Sequence, residues 1–176
     1  MTKSGVAGQL FSIDALRGRD LVPAARAFLK SRPKGGFSTW DASHIFFELE
    51  KLNAEDLPSA RTLLLLYAAD LRFRLRWDIL PAIEEGHVVV AVPYVETGIA
   101  FGLAMGLPHE WLTEVFRFAP TPAESFWVNR RPGRSEPSDS GFLEFCSEIL
   151  PDNFHEKFSA HFDELGTRAG CKLLRL

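Results

Sequence analysis

The chain has 176 residues, 46% of them hydrophobic and 24% charged, with a formal net charge of −3. That is one domain's worth, large enough for a real core, and its charge balance argues against nucleic acid or a membrane as partner. Cys146 and Cys171 make neither a secreted disulfide framework nor a zinc motif, and no stretch approaches the roughly 20 apolar residues of a membrane span, so the expectation is a cytosolic protein.

Residues 1–8 are small and polar and read as a flexible N-terminus, leaving 9–176 as a single domain. Leu10 to Ile13 reads as a first strand. Asp14 to Arg19 turns, and Asp20 is expected to cap a helix running to about Lys30, with Leu21, Ala24, Ala25, Phe28 and Leu29 as its apolar stripe. Arg32-Pro33-Lys34-Gly35-Gly36 is a stop and turn before a short strand from Phe37 to Trp40. Asp41 is expected to cap a helix whose Ile45, Phe46, Leu49 and Leu52 share one face.

Asn53 and Asp56 signal the start of a long helix reaching about Arg76, with Pro58 in its first turn. Leu63 to Ala69 is apolar all round, so this helix must be covered on more than one side, by neighbouring helices or by a second subunit. Trp77 to Glu85 resumes a helix, kinked or restarted at Pro81 and ended by Gly86. His87 to Val92 is β-branched and unalternating, which suits a parallel strand buried on both faces. Helices follow over Thr97–Met105 and from Pro108 to about Phe118. Ser125 to Val128 reads as a strand, 130–140 as a polar loop, Phe142–Leu150 and Phe154–Leu165 as amphipathic helices, and Cys171–Leu176 as a last strand. The order predicts a parallel sheet with helices on both faces.

The stretch from Arg61 to Gly102 resembles thymidylate kinase, a nucleoside monophosphate kinase of the P-loop class. Leu66-Tyr67-Ala68-Ala69-Asp70 matches the family's Leu-Phe-x-Ala-Asp-Arg helix, and Leu80-Pro81-Ala82-Ile83 with Gly86 matches its Pro-Ala-Leu and glycine. Tyr94 with Ile99-Ala100-Phe101-Gly102 matches the end of the segment that opens with Asp-Arg-Tyr. The resemblance implies an α/β, three-layer, P-loop-kinase-like fold with about five parallel strands. It also implies a homodimer through the long helix, for which Leu64, Tyr67, Ala68, Leu71 and Leu75 are the candidate interface.

The departures fall on the family's reactive residues. A phosphate loop of the type G-x-x-x-x-G-K-[ST] needs glycines for close backbone approach, a lysine for charge and a hydroxyl for Mg²⁺. The matching place reads Ala15-Leu16-Arg17-Gly18-Arg19-Asp20-Leu21-Val22. Asp20 puts a carboxylate where a phosphate would sit, a repulsion of about 4 kcal/mol at ~4 Å and an effective dielectric of ~20. Leu21 brings no ammonium and Val22 no hydroxyl. Val92-Pro93 stands for the Asp-Arg pair, and Leu71 for the arginine of the long helix.

These residues lead to the expectation of a catalytically inactive, thymidylate-kinase-like pseudoenzyme with no catalytic residue, cofactor or metal. It would act through a homodimer and an unidentified protein partner. The alternatives are a binding protein for a nucleotide or other anion, or an atypical nucleotide kinase. Ligand contacts for those would come from Arg17, Arg19, Asp41, Tyr94, Glu96, Arg130, Arg131 and Arg134.

Overall fold

The apolar run Val88–Val92 forms the strand its composition predicts, and it sits inside a five-stranded sheet. The computed structural model describes residues 8–32, 34–128, 153–165 and 171–174. In chain order the described elements are β1 (Gln9–Ala15), α1 (Gly18–Leu29), β2 (Gly35–Thr39), α2 (Ile45–Leu49) and α3 (Ala60–Arg74). Then come α4 (Leu80–Glu84), β3 (Val88–Val92), α5 (Val95–Ala104), α6 (His109–Phe116), β4 (Glu124–Val128), α7 (Phe154–Leu165) and β5 (Cys171–Leu173). All four strand pairs are parallel and the order is β2-β3-β1-β4-β5. The expected α/β architecture, with about five parallel strands and helices on both faces, is the one observed.

Alternation along the strands splits the core. Val90 and Val92 join Phe11, Ile13, Phe28 and Phe126 against α1 on one face of the sheet. Val89 and Ala91 join Leu10 and Trp127 on the other, under side chains of α3, α5, α6 and α7. A central parallel strand with both faces covered has no polar side to show, which is why its sequence does not alternate. Gly98 and Gly102 let α5 approach α6 closely: a Cβ at either would overlap Phe116 or Leu112.

Several boundaries differ from expectation for local reasons. Helix α1 begins two residues before Asp20, with Arg17 as N-cap and no side-chain cap, so Asp20 lies inside the first turn. Strand β2 takes in Gly35 and Gly36, because register with Val88 and Val89 overrides their turn preference. The cap of α3 is Ser59, whose Oγ accepts from Thr62 N at 3.3 Å. The long helix is broken by a π-helical turn over Leu75–Ile79, ahead of Pro81, rather than kinked by the proline. The expected helix Phe142–Leu150 and the 130–140 loop lie outside the described residues.

Candidate functional site

From β1 the chain crosses to β2, returns through β3 beside β1, and then builds β4 and β5 on the far side of β1. The carboxyl ends of β1 and β3 therefore flank the point where strand order reverses, the usual ligand crevice of an open parallel sheet. Three buried charged groups gather along this edge: Asp14 near the end of β1, Arg74 at the end of α3, and Asp70 one helical turn before it.

Asp14 faces the first turn of α5. Its Oδ1 accepts from Tyr94 N (2.9 Å), Thr97 N (3.0 Å) and Thr97 Oγ1 (2.7 Å), so it satisfies backbone donors that a helix start leaves open. Burial pushes its carboxyl up to about 6; the Thr97 and Tyr94 bonds oppose that shift, and nearby Glu96 adds to it. The α5 N-terminus is thus filled by the protein's own acid. Glu96 meets His161 of α7 at 3.0 Å, with His161 almost wholly buried. Tyr94 is buried, and its hydroxyl donates to Pro120 O at 2.7 Å.

Arg74 is buried among polar groups from two other strands' ends. Its Nε donates to Ser38 Oγ at 3.2 Å, and its Nη2 donates to Ser38 O at 3.0 Å and Pro93 O at 2.8 Å. Ser38 Oγ donates onward to Asp78 Oδ2 at 3.2 Å. Burial lowers the guanidinium's pKa, opposed by Tyr67, Asp70, Asp14 and Asp78. Pro93 follows a cis peptide bond, Val92–Pro93.

Asp70 holds the turn after β2. Its Oδ2 accepts from Asp41 N (3.0 Å), and its Oδ1 accepts from Ser43 N (2.9 Å) and Ser43 Oγ (2.8 Å). Asp41 in turn accepts from Phe46 N (2.8 Å) and Phe47 N (2.9 Å), the capping role expected of it from sequence. Both carboxylates are therefore engaged in holding backbone.

In the first turn of α1, Arg17, Gly18 and Arg19 are half-buried, while Asp20 and Leu21 are buried. Asp20 Oδ2 has no hydrogen-bond partner among the described residues. Ala15 closes β1 and Val22 sits half-buried on α1. Arg130, Arg131 and Arg134 lie outside the described residues. Among the described residues no group of three or more His, Cys, Asp or Glu side chains is placed to hold a metal. A groove of about 370 Å³ runs along the open edge of β2, lined by Lys34, Gly36, Ser38, Asp78 and His87. It lies on the flank of the sheet rather than at the β1–β3 crevice.

The residues expected at a dimer interface are corrected by the structure. Leu64, Tyr67, Ala68, Leu71 and Leu75 all face inward and are buried in the chain's own core. Tyr67 even donates its hydroxyl to Tyr94 O at 2.6 Å. The outer face of α3 and the π turn instead presents Leu65, Phe73 and Trp77, the last 61% exposed, with Leu80 beyond.

Sequence reasoning missed Asp14, Arg74 and His161. The one available signal was Asp14, the only charged residue of a strand, β1, whose sequence is QLFSIDA.

Comparison with known proteins agrees with this architecture. No family model matches the chain. It is 43% identical over 82 residues to a probable thymidylate kinase of Pyrococcus abyssi, covering 47% of this chain and 34% of that protein. It is also 43% identical over 85 residues to a probable thymidylate kinase of Pyrococcus horikoshii, covering 48% and 35% respectively. The matched stretch thus spans about a third of the length of these curated relatives. Across the fold, the thymidylate kinase of Ehrlichia chaffeensis superposes with a TM-score of 0.71 at 11% identity, over 96% of this chain and 87% of the other. The thymidylate kinase of Candida albicans gives a TM-score of 0.65 at 17% identity, over 96% and 83%.

These findings overturn the expectation that the chain is not an enzyme, because the proteins it matches are themselves thymidylate kinases. Among the described residues no helix is long and apolar enough to cross a membrane. In sequence over about half its length, and in fold throughout, the chain is thymidylate-kinase-like.

Proposed function

We propose that the chain binds a nucleoside monophosphate of the thymidylate class at the carboxyl edge of its sheet and takes part in phosphoryl transfer to it, in the cytosol. The observation that carries this reading is the double likeness to thymidylate kinases, in a sequence segment and in the whole fold. The reversal of strand order between β1 and β3 supplies the crevice.

The first turn of α1 does not fit Mg²⁺-bound triphosphate in the ordinary P-loop manner. Leu21 and Val22 bring neither ammonium nor hydroxyl, and Asp20 adds negative charge. In this reading the cationic groups at that turn are Arg17 and Arg19, whose guanidinium groups suit phosphate oxygens. The test is ADP release from ATP with dTMP as acceptor. dTMP-dependent turnover that falls at least about tenfold in Arg17→Ala and Arg19→Ala, the loss of a charge-assisted hydrogen bond, is the expected result. Absence of both turnover and dTMP binding in the unmodified chain would reject the reading.

A second reading concerns association and stands beside the first. Leu65, Phe73, Trp77 and Leu80 form an exposed apolar stripe on α3 and the turns after it. Arg72 and Arg76 are exposed alongside, so the patch has the apolar centre and charged rim of a protein interface. We assign this face, not the inward residues, to a homodimer contact; an unidentified protein partner would compete for the same face. Light scattering gives a dimer for the unmodified chain and a monomer for Trp77→Glu. A monomer at all concentrations for the unmodified chain would refute the assignment.

A further inference from the structure

The Arg74 guanidinium is hydrogen-bonded on one flank and unmatched on the other. Nε and Nη2 are engaged by Ser38 Oγ, Ser38 O and Pro93 O, and these bonds fix its plane against the ends of β2 and β3. Nη1 is buried and has no hydrogen-bond partner among the described residues. A charged donor left unmatched away from water is costly, and an anionic acceptor placed against it would remove that cost. Here the donor lies at the carboxyl ends of β2 and β3, beside the reversal of strand order.

The turn that follows Ser38 is also unusual. The turn that leaves β2 two residues after Ser38 holds two non-glycine residues in the left-handed region, Asp41 at φ 56° and His44 at φ 60°. Such positions cost on the order of 1 kcal/mol or more each and persist only where neighbours enforce them. Asp70 is the enforcer, through its three bonds to Asp41 and Ser43. It sits one helical turn before Arg74, on the same face of α3.

We propose that Arg74 is the residue that recognises the anionic group of the nucleotide, through Nη1, with the Trp40–Ser43 turn lifting from Asp70 to admit it. The ligand class is a phosphate monoester on a nucleoside. This rests on the nucleotide-binding reading above, and the experiment separates the two.

Binding of dTMP and of thymidine is measured by calorimetry on the unmodified chain, Arg74→Lys and Arg74→Met. The expected result is that Arg74→Met weakens dTMP roughly 10- to 100-fold and leaves thymidine within about twofold, while Arg74→Lys lies between. A merely structural arginine would weaken both ligands together, and that outcome overturns the assignment while leaving nucleotide binding in place. If the unmodified chain binds neither ligand, the nucleotide reading itself fails and this inference with it. Because Arg74 is fully buried, the variants can fail to fold. The ¹⁵N signals of the arginine guanidinium groups in the unmodified protein then decide: dTMP must shift the Arg74 resonance and thymidine must not. Equal shifts from both, or none from dTMP, overturn the proposal.

Discussion

Two carboxylates stand at two helix starts, and the protein treats them in opposite ways. Asp14 lies outside α5 and hands one oxygen to three donors of that helix's first turn. Asp20 lies inside the first turn of α1, buried, with one oxygen unmatched among the described residues. Both are acids near the positive end of a helix dipole, where negative charge is favoured. The difference is hydrogen bonding. The α5 terminus is finished by the protein itself, whereas α1 starts from Arg17 with no side-chain cap. An anion accepted at the start of α1 has to be accepted against Asp20.

The comparison breaks most sharply at Asp14. Replacing it by alanine strands Tyr94 N, Thr97 N and Thr97 Oγ1 in the interior, each at roughly 1–3 kcal/mol. Relief of the buried charge offsets part of this, so Asp14→Ala is expected to destabilise by about 3–5 kcal/mol in urea unfolding at neutral pH. A loss under about 1 kcal/mol would mean that α5 caps itself by other means.

The next effect is one of pH. The Asp14 carboxyl is raised by burial to about 6 from an ordinary value near 3.8. Between those values the folded state keeps a proton that the unfolded chain has lost. The group's contribution is therefore full below about pH 4, declines as pH rises through 6, and is gone above it. A shift of about two units corresponds to roughly 3 kcal/mol. In Asp14→Asn, which keeps a carbonyl acceptor for all three donors, that decline disappears. Stability measured from pH 4 to 7.5 in both proteins isolates it: the difference curve should slope, and a flat one would show that Asp14 titrates normally.

How much of this was legible in the sequence depended on whether burial followed polarity. Strand β3 and the two-sided sheet were legible, because Val88–Val92 can only be buried on both faces. The capping role of Asp41 was legible, because an acid before an apolar helical stripe has few other uses. Helix α3 was not. Its apolar run gives no phase, and the residues that set its phase are Asp70 and Arg74, a charged pair four apart that points inward with Leu63 and Tyr67. With no phase of its own to read, the run left the inward face open, and the interface that the resemblance implied was placed on Leu64, Tyr67, Ala68, Leu71 and Leu75, which the structure buries in the core. The same rule hid the site, since Asp14, Arg74 and His161 are polar groups buried by long-range partners that only the fold brings near.

The smallest expected effect falls on the other member of the pair. Removing Asp20 gives up an interaction with the α1 dipole, worth about 0.3–1 kcal/mol. It also removes a buried acceptor without a donor, a penalty of roughly 1–3 kcal/mol. The second is the larger, so Asp20→Ala should leave stability unchanged or raise it by about 1 kcal/mol, the reverse of Asp14→Ala. The same substitution removes the negative charge from a helix start that has no side-chain cap, so it should also tighten the binding of ATP measured by thermal shift. If Asp20→Ala instead destabilises by more than about 2 kcal/mol, the carboxylate has a partner that matters to the fold. The two helix starts would then be alike, and the α1 turn would be no more open to an anion than α5 is.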